Sequence, residues 1–175
     1  TGTYSTTAHA GQTITLGTGT DEGQLDYKLP NSGGYNTGAQ QGIPYTVVDG
    51  TNVINVLYTP IAQTVTVKYY KGNDMATAVE ITPSSNYPGP VYTDQPINLN
   101  TSDPHNFLNA KKPGSGYNNG VQQNPTFTVS AVTANNVINV LYTPIGQTLT
   151  VNYFKGTDWS HKTALTPSGS FTSTT

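Results

Sequence analysis

Asn52–Gly72 reads NVINVLYTPIAQTVTVKYYKG, and Asn136–Gly156 reads NVINVLYTPIGQTLTVNYFKG. Seventeen of these 21 positions are identical, at an offset of 84. An internal match of this length makes the chain two copies of one unit. Working outward, Gly34-Tyr35-Asn36 matches Gly116-Tyr117-Asn118 at an offset of 82, and Gln12–Leu16 (QTITL) matches Gln95–Leu99 (QPINL) at 83. The drifting offset marks small insertions and deletions, which belong in loops. A unit of this length exceeds the ~20–50 residues of a solenoid repeat. It suffices for a small domain burying about 60–65% of its unfolded surface. The expected architecture is an elongated array of tandem small domains, not a stacked superhelix.

Within each copy the apolar residues alternate with period two, the mark of half-buried strands. Val65, Val67 and Tyr69 share one face, as do Leu149, Val151 and Tyr153. Ile54, Val56 and Tyr58 form a second inward set, repeated by Ile138, Val140 and Tyr142. Ile14/Leu16 with Ile97/Leu99, and Tyr45/Val47 with Phe127/Val129, are shorter sets. The outward positions are mostly Thr and Asn, as on a sheet with one wet side. One stretch per copy, Asp21–Leu29 and Pro104–Lys111, is expected as a short helix, capped by Thr20 or Asp103. The fold class is therefore mostly β: about five strands and at most one helix per copy, compatible with an α+β β-grasp or a small all-β sandwich.

Two domain phases fit the repeat. In one, Pro60–Gln63 and Pro144–Gln147 are hairpin turns, and the domains are 1–83 and 84–167 with the start of a third, up to 175. Both chain ends fall at one repeat phase, which favours this reading. In the other phase these segments are linkers, and a complete domain spans 63–145 between partial units. The second phase carries an expectation of its own, head-to-tail self-association, in which the 147–175 hairpin of one molecule completes the 1–61 body of the next.

Composition excludes several classes. The 175 residues hold 7 Lys+Arg and 9 Asp+Glu, a net charge of -2, and the cations are all lysines. Nucleic acid, gripped through phosphates largely by Lys and Arg, is not an expected partner. No apolar run reaches the ~20 residues of a membrane span. The absence of cysteine removes disulfides, thiolate metal sites and thiol catalysis. Thr at 30 positions and Asn at 17 supply an uncharged polar surface of the kind found on secreted bacterial proteins.

Thr64–Gly72 as an opening strand and Gly turn, Gly89–Tyr92 and Gly116–Tyr117 as a Gly/Tyr middle, and Asn136–Tyr142 as a closing strand resemble the mucin-binding (MucBP-type) repeats of Gram-positive surface adhesins. KGND and KGTD stand where those repeats usually carry an acidic turn. The resemblance implies a ubiquitin-like β-grasp fold, extracellular display on the cell wall, and attachment to host mucin or other glycoproteins.

Catalytic chemistry is not expected. His9, His105 and His161 fall at unmatched repeat positions, so no acid/base set recurs, and they read as solvated loop residues. Asp21, Glu22 and Asp26 lack the spacing of a calcium loop, and no metal or cofactor is expected. Lys71 and Lys155, the matched lysines, raise the question of isopeptide cross-links but sit at Gly turns and read as solvated. Aromatic residues remain, because sugars stack on exposed rings beside polar groups. Tyr35 and Tyr117 lie in Gly/Asn-rich loops near Gln40/Gln41 and Gln122/Gln123, and Trp159 follows a turn aspartate. These three are the candidate glycan-binding residues of a non-enzymatic adhesin. The rival reading is a structural spacer that holds a distal head away from the cell.

Overall fold

The computed structural model describes residues 7–30, 33–100, 102 and 104–173, with residues 167–173 by backbone alone. It is mostly β. Strands β1 (Thr13–Ile14), β2 (Ala39–Gln40), β3 (Tyr45–Thr46), β4 (Val56–Leu57) and β5 (Ala62–Gln63) are short. Two longer strands follow, β6 (Thr66–Lys71) and β7 (Val79–Asn86). Then come β8 (Val91–Tyr92), β9 (Pro96–Ile97), β10 (Val121–Gln122), β11 (Phe127–Thr128) and β12 (Val137–Tyr142). A hairpin of β13 (Gln147–Gly156) and β14 (Lys162–Ser173) ends the described residues.

The chain forms two compact units. The first comprises Thr1–Thr66, Asn86–Ile97 and Thr126–Val137. Its strands pair antiparallel in twos: β1 with β3 (Ile14 opposite Tyr45), β2 with β4 (Gln40 opposite Val56), β5 with β8 (Gln63 opposite Val91), and β9 with β11 (Ile97 opposite Phe127). Val47, Val65, Val91, Ile97, Phe127 and Val129 are its buried apolar residues. The β1–β3 and β9–β11 pairs put repeat-equivalent residues face to face in the same way.

The second unit comprises Val67–Ser85, Asn98–Pro125 and Ile138–Thr175. It holds most of a four-stranded sheet in the order β10-β12-β6-β7. Gln122 lies opposite Val140 in the antiparallel β10–β12 pair, as Gln40 lies opposite Val56. The central pair, β6 and β12, runs parallel. The Thr66 N–H donates to the Asn136 carbonyl at 2.9 Å, and six residues on the Gly72 N–H donates to the Tyr142 carbonyl at 3.1 Å. Val67, Tyr69, Ile138, Val140 and Tyr142 are fully buried, as their alternation predicts. Of the residues between them, Lys68 and Asn139 are half-buried, whereas Leu141 is buried as well.

The two expected helices are corrected to turns. Gln24 N–H reaches the Asp21 carbonyl, Tyr27 the Gln24 carbonyl and Leu29 the Asp26 carbonyl, each three residues back; Asn109 and Lys112 do the same with Asn106 and Asn109. Gly23 (φ 82) and Asn106 (φ 47) take left-handed conformations that stop a right-handed helix from propagating. The suggested cap Asp103 lies outside the described residues.

Candidate functional site

Tyr35 and Tyr117 are half-buried and tied to the strand ends beside them. Tyr35 forms a β-bridge with Pro60, and Tyr117 with Pro144. The next residue repeats the tie. Asn36 donates its backbone N–H to the Thr59 carbonyl (2.9 Å) and its side-chain amide to Thr59 Oγ1 (3.0 Å), and Asn118 does so to Thr143 at 2.9 and 3.1 Å. These are pinned segments, less open than their Gly/Asn composition suggests. The Tyr35 hydroxyl also donates to Asp94 Oδ2 at 3.2 Å. Desolvation, then the neighbouring Asp94 carboxylate, hold this phenol above its ordinary pKa.

The glutamines expected to supply polar contacts to a ligand are spent inside the fold. Gln40 Oε1 accepts the Leu16 N–H at 2.7 Å, and its amide donates to the Ile14 and Gly42 carbonyls. Gln122 Oε1 accepts the Leu99 N–H at the same 2.7 Å, and its amide donates to the Asn124 carbonyl. Both side chains are buried and act as clips between segments distant in sequence. Gln41 accepts the Asn55 amide at 2.9 Å, and Gln123 donates to the Val121 carbonyl at 2.9 Å.

Trp159 stands apart from this pattern. It lies in the β13–β14 turn and is 76% exposed. Phe154 meets it edge to face at 6.0 Å, and Lys162 Nζ lies 4.4 Å from the indole centroid and 4.9 Å from the Phe154 centroid. The turn is held by Asp158, whose carboxylate accepts the Ser160 N–H (2.8 Å), the His161 N–H (2.9 Å) and contacts His161 Nδ1 (2.9 Å). The His161 contact first, then the backbone donors, keep the Asp158 carboxyl below its ordinary pKa. Asp74 makes the equivalent turn in the first copy, accepting the Thr77 N–H and hydroxyl at 2.9 Å. There Met75 stands where the second copy has Trp159.

Phe154 and Lys162 are thus the residues around Trp159 that sequence reasoning did not single out, while His161 and the turn aspartate Asp158 were noted but not joined to it. The signal was the turn GTDWSHK itself, which departs from GNDMATA at the same phase. Such a tip offers an aromatic face, an edge ring, a cation and turn polar groups to a ligand with both apolar and hydroxylated surfaces.

His9, His105 and His161 are exposed, as are Lys71 and Lys155. Asp26 Oδ1 accepts the Gly38 N–H at 3.2 Å, a structural bond. Among the described residues no three His, Asp or Glu side chains gather into a metal-binding group. Comparison with known protein families, curated proteins and solved structures finds no match.

Proposed function

We propose that this chain is a repeat region of a bacterial cell-surface adhesin, displayed on the cell wall and binding mucin or other host glycoproteins without catalysis. Each repeat, in this reading, is a β-grasp domain in the 63–145 phase. The sheet order β7-β6-β12-β10 with a parallel central pair supports the β-grasp assignment, because that fold places its first and last strands side by side and parallel. The observation that carries the binding role is Trp159, a 76% exposed indole flanked by Phe154 and Lys162. A pyranose stacks its apolar face on such a ring while its hydroxyls meet neighbouring polar groups. Weak single sites gain strength by repetition through effective concentration.

Retention on immobilised mucin tests this. Trp159→Ala is expected to lower retention of the 175-residue protein at least tenfold, with the thermal midpoint unmoved because the side chain is exposed. Adding Tyr35→Ala and Tyr117→Ala asks whether the pinned tyrosines contribute. Retention unchanged by all three refutes the glycan reading.

The spacer reading has one observation in its favour. Residues 60–63 are clamped by the β5–β8 pair, by Tyr35 on Asp94, and by the Thr133 hydroxyl donating to Gln63 Oε1 at 3.0 Å. A braced join suits a stalk. Silence across a glycan array, with the clamp intact, selects this role.

A further inference from the structure

Two dipeptides of the chain, Asp49-Gly50 and Asn119-Gly120, are labile by their own covalent structure. In such a pair the glycine nitrogen attacks the preceding side-chain carbonyl carbon and closes a five-membered succinimide ring. Glycine favours the closure because it has no Cβ to crowd the nitrogen and leaves the backbone free to turn. By composition alone Asn119 is the more reactive, since an amide is displaced more readily at neutral pH than a carboxylate. The fold reverses that order. Gly120 is buried and its N–H donates to the Leu108 carbonyl at 2.8 Å, while Asn119 Oδ1 accepts Lys112 Nζ at 3.1 Å. The attacking nitrogen would have to give up its bond first, and the Leu108 oxygen and Val140 Cγ1 crowd the Gly120 Cα.

Asp49-Gly50 is the opposite case. Both residues are exposed, in the loop between β3 and β4. Among the described residues no group accepts the Gly50 N–H and none donates to the Asp49 carboxylate. Nothing lies within 4 Å of where a Gly50 Cβ would stand. The loop is held closed without either group: Asn52 accepts the Val48 N–H at 2.8 Å and donates to the Val48 and Gly50 carbonyls at 2.8 and 3.1 Å. The same loop in the other copy is exposed at residues 132–135, so the openness belongs to the loop and not to one copy.

We infer that Asp49-Gly50 is a site of spontaneous isoaspartate formation, a modification that the folded chain undergoes at this bond and suppresses at Asn119-Gly120. The Gly50 nitrogen bonds to Asp49 Cγ, and one carboxyl oxygen leaves as water with the nitrogen's proton. Solvent water then opens the ring. Addition at Cγ restores aspartate. Addition at the α-carbonyl carbon breaks the original peptide bond instead, and the chain then runs through Cβ and Cγ as isoaspartate. One water is released and one consumed, so no oxidant, reductant or enzyme is required, and neither mass nor formal charge changes. The product lengthens the backbone by one methylene between Val48 and Gly50, the two residues that the Asn52 side chain clasps together. The bond to the Gly50 carbonyl is the one that gives way. None of this depends on glycan binding.

Ageing the 175-residue protein in mildly acidic buffer tests this. The probe is a protein L-isoaspartyl methyltransferase with labelled S-adenosylmethionine, and electron-transfer fragmentation of the digested protein locates the modified residue. Isoaspartate is expected at residue 49, at a rate close to that of a free peptide covering residues 46–52. None is expected at residue 119 until urea unfolds the chain. Asp49→Glu keeps the charge but must close a six-membered ring, and is expected to lose the signal. Asp49→Asn is expected to react faster at neutral pH, releasing ammonia with a rise in mass. Residue 49 is exposed, so both variants should keep the parent's circular dichroism. A residue 49 that stays unmodified in the folded protein while the free peptide reacts overturns the inference. Modification at residue 119 of the folded protein as fast as at residue 49 overturns it too, as does a methyltransferase signal unchanged in Asp49→Glu.

Discussion

Tyr69 and Tyr142 stack with ring centroids 6.4 Å apart and planes 15° from parallel, and neither exposes any surface. The rings belong to β6 and β12, strands that lie about 70 residues apart in the chain. Their stacking and the parallel ladder beneath it close the pairing of greatest sequence separation in the four-stranded sheet, so this contact fixes which strands meet at its centre. Burial raises both phenol pKa values. The Tyr142 hydroxyl is still satisfied, accepting the Lys111 N–H at 3.1 Å, and Tyr58 repeats this with the Lys28 N–H at 3.3 Å.

Truncating Tyr142 is expected to separate packing from hydrogen bonding. Tyr142→Ala should cost about 3–5 kcal/mol, the range for an emptied aromatic site in a core. Tyr142→Phe keeps the ring but leaves the Lys111 N–H without its acceptor, for about 1–3 kcal/mol. Tyr58→Ala, at a half-buried ring, should cost nearer 1–2 kcal/mol in proportion to the apolar area it removes from water. Urea unfolding followed by circular dichroism measures all three. Equal losses for Tyr58→Ala and Tyr142→Ala would show that the two copies are equally closed.

Asn136 gives a matched comparison of a buried and an exposed clasp. Its Oδ1 accepts the Ser130 N–H at 2.7 Å and its amide donates to the Ser130 carbonyl at 2.9 Å, while Asn52 makes the same pair with Val48 at 2.8 and 2.8 Å. Asn136 is buried and Asn52 exposed. Replacing Asn136 by Ala strands two backbone groups away from water, at about 2–3 kcal/mol. At Asn52 water takes over, so the loss should stay under ~1 kcal/mol. Thermal midpoints that drop equally for the two variants contradict this.

The inward faces were legible in the sequence because a strand's side chains alternate with period two, whatever the strand pairs with. That is why Val65, Val67 and Tyr69, and Ile138, Val140 and Tyr142, were assigned correctly. Period says nothing about cover, so the same pattern in Leu149, Val151 and Tyr153 gave no sign that Leu149 and Tyr153 stand exposed and Val151 only half-buried. Nor does it name partners, and the parallel β6–β12 pairing had no local signal. Gln40 and Gln122 were misread because an amide near a tyrosine resembles a ligand contact. Their recurrence two residues after Gly38 and Gly120, at one repeat phase, is the signal of a structural clip.

Gly120 should tolerate no side chain. An added Cβ would lie 2.3 Å from the Leu108 carbonyl oxygen and 2.5 Å from Val140 Cγ1, and at Gly38 the same atom would lie 2.4 Å from the Leu25 oxygen and 2.5 Å from Val56 Cγ1. The obstructing oxygen is backbone and receives the Gly120 N–H at 2.8 Å, so it cannot move without losing that bond. Gly120→Ala is expected to cost about 1–3 kcal/mol or more by overpacking. Gly120→Ala as stable as the parent in urea would refute the close approach.

The turn that presents Trp159 should loosen in acid. The Asp158 carboxyl is held below the ordinary carboxylate range, by His161 first and then by the His161 and Ser160 backbone donors. A carboxyl whose folded pKa is depressed contributes stability that is present above its unfolded pKa, ~3.9, and lost as pH falls through the lower folded value. The turn is therefore intact at neutral pH and opens only in strong acid. The group lies at an exposed turn, so the readout is local order, not global unfolding. Trp159 fluorescence, sensitive to Phe154 and Lys162 against the indole, should change below about pH 4 with far-ultraviolet circular dichroism held constant. His161→Ala removes the largest cause of the shift and should move this transition to higher pH. Asp158→Asn, which keeps an acceptor oxygen but no titrating carboxyl, should abolish it. A transition unmoved by either substitution would assign it to another carboxylate.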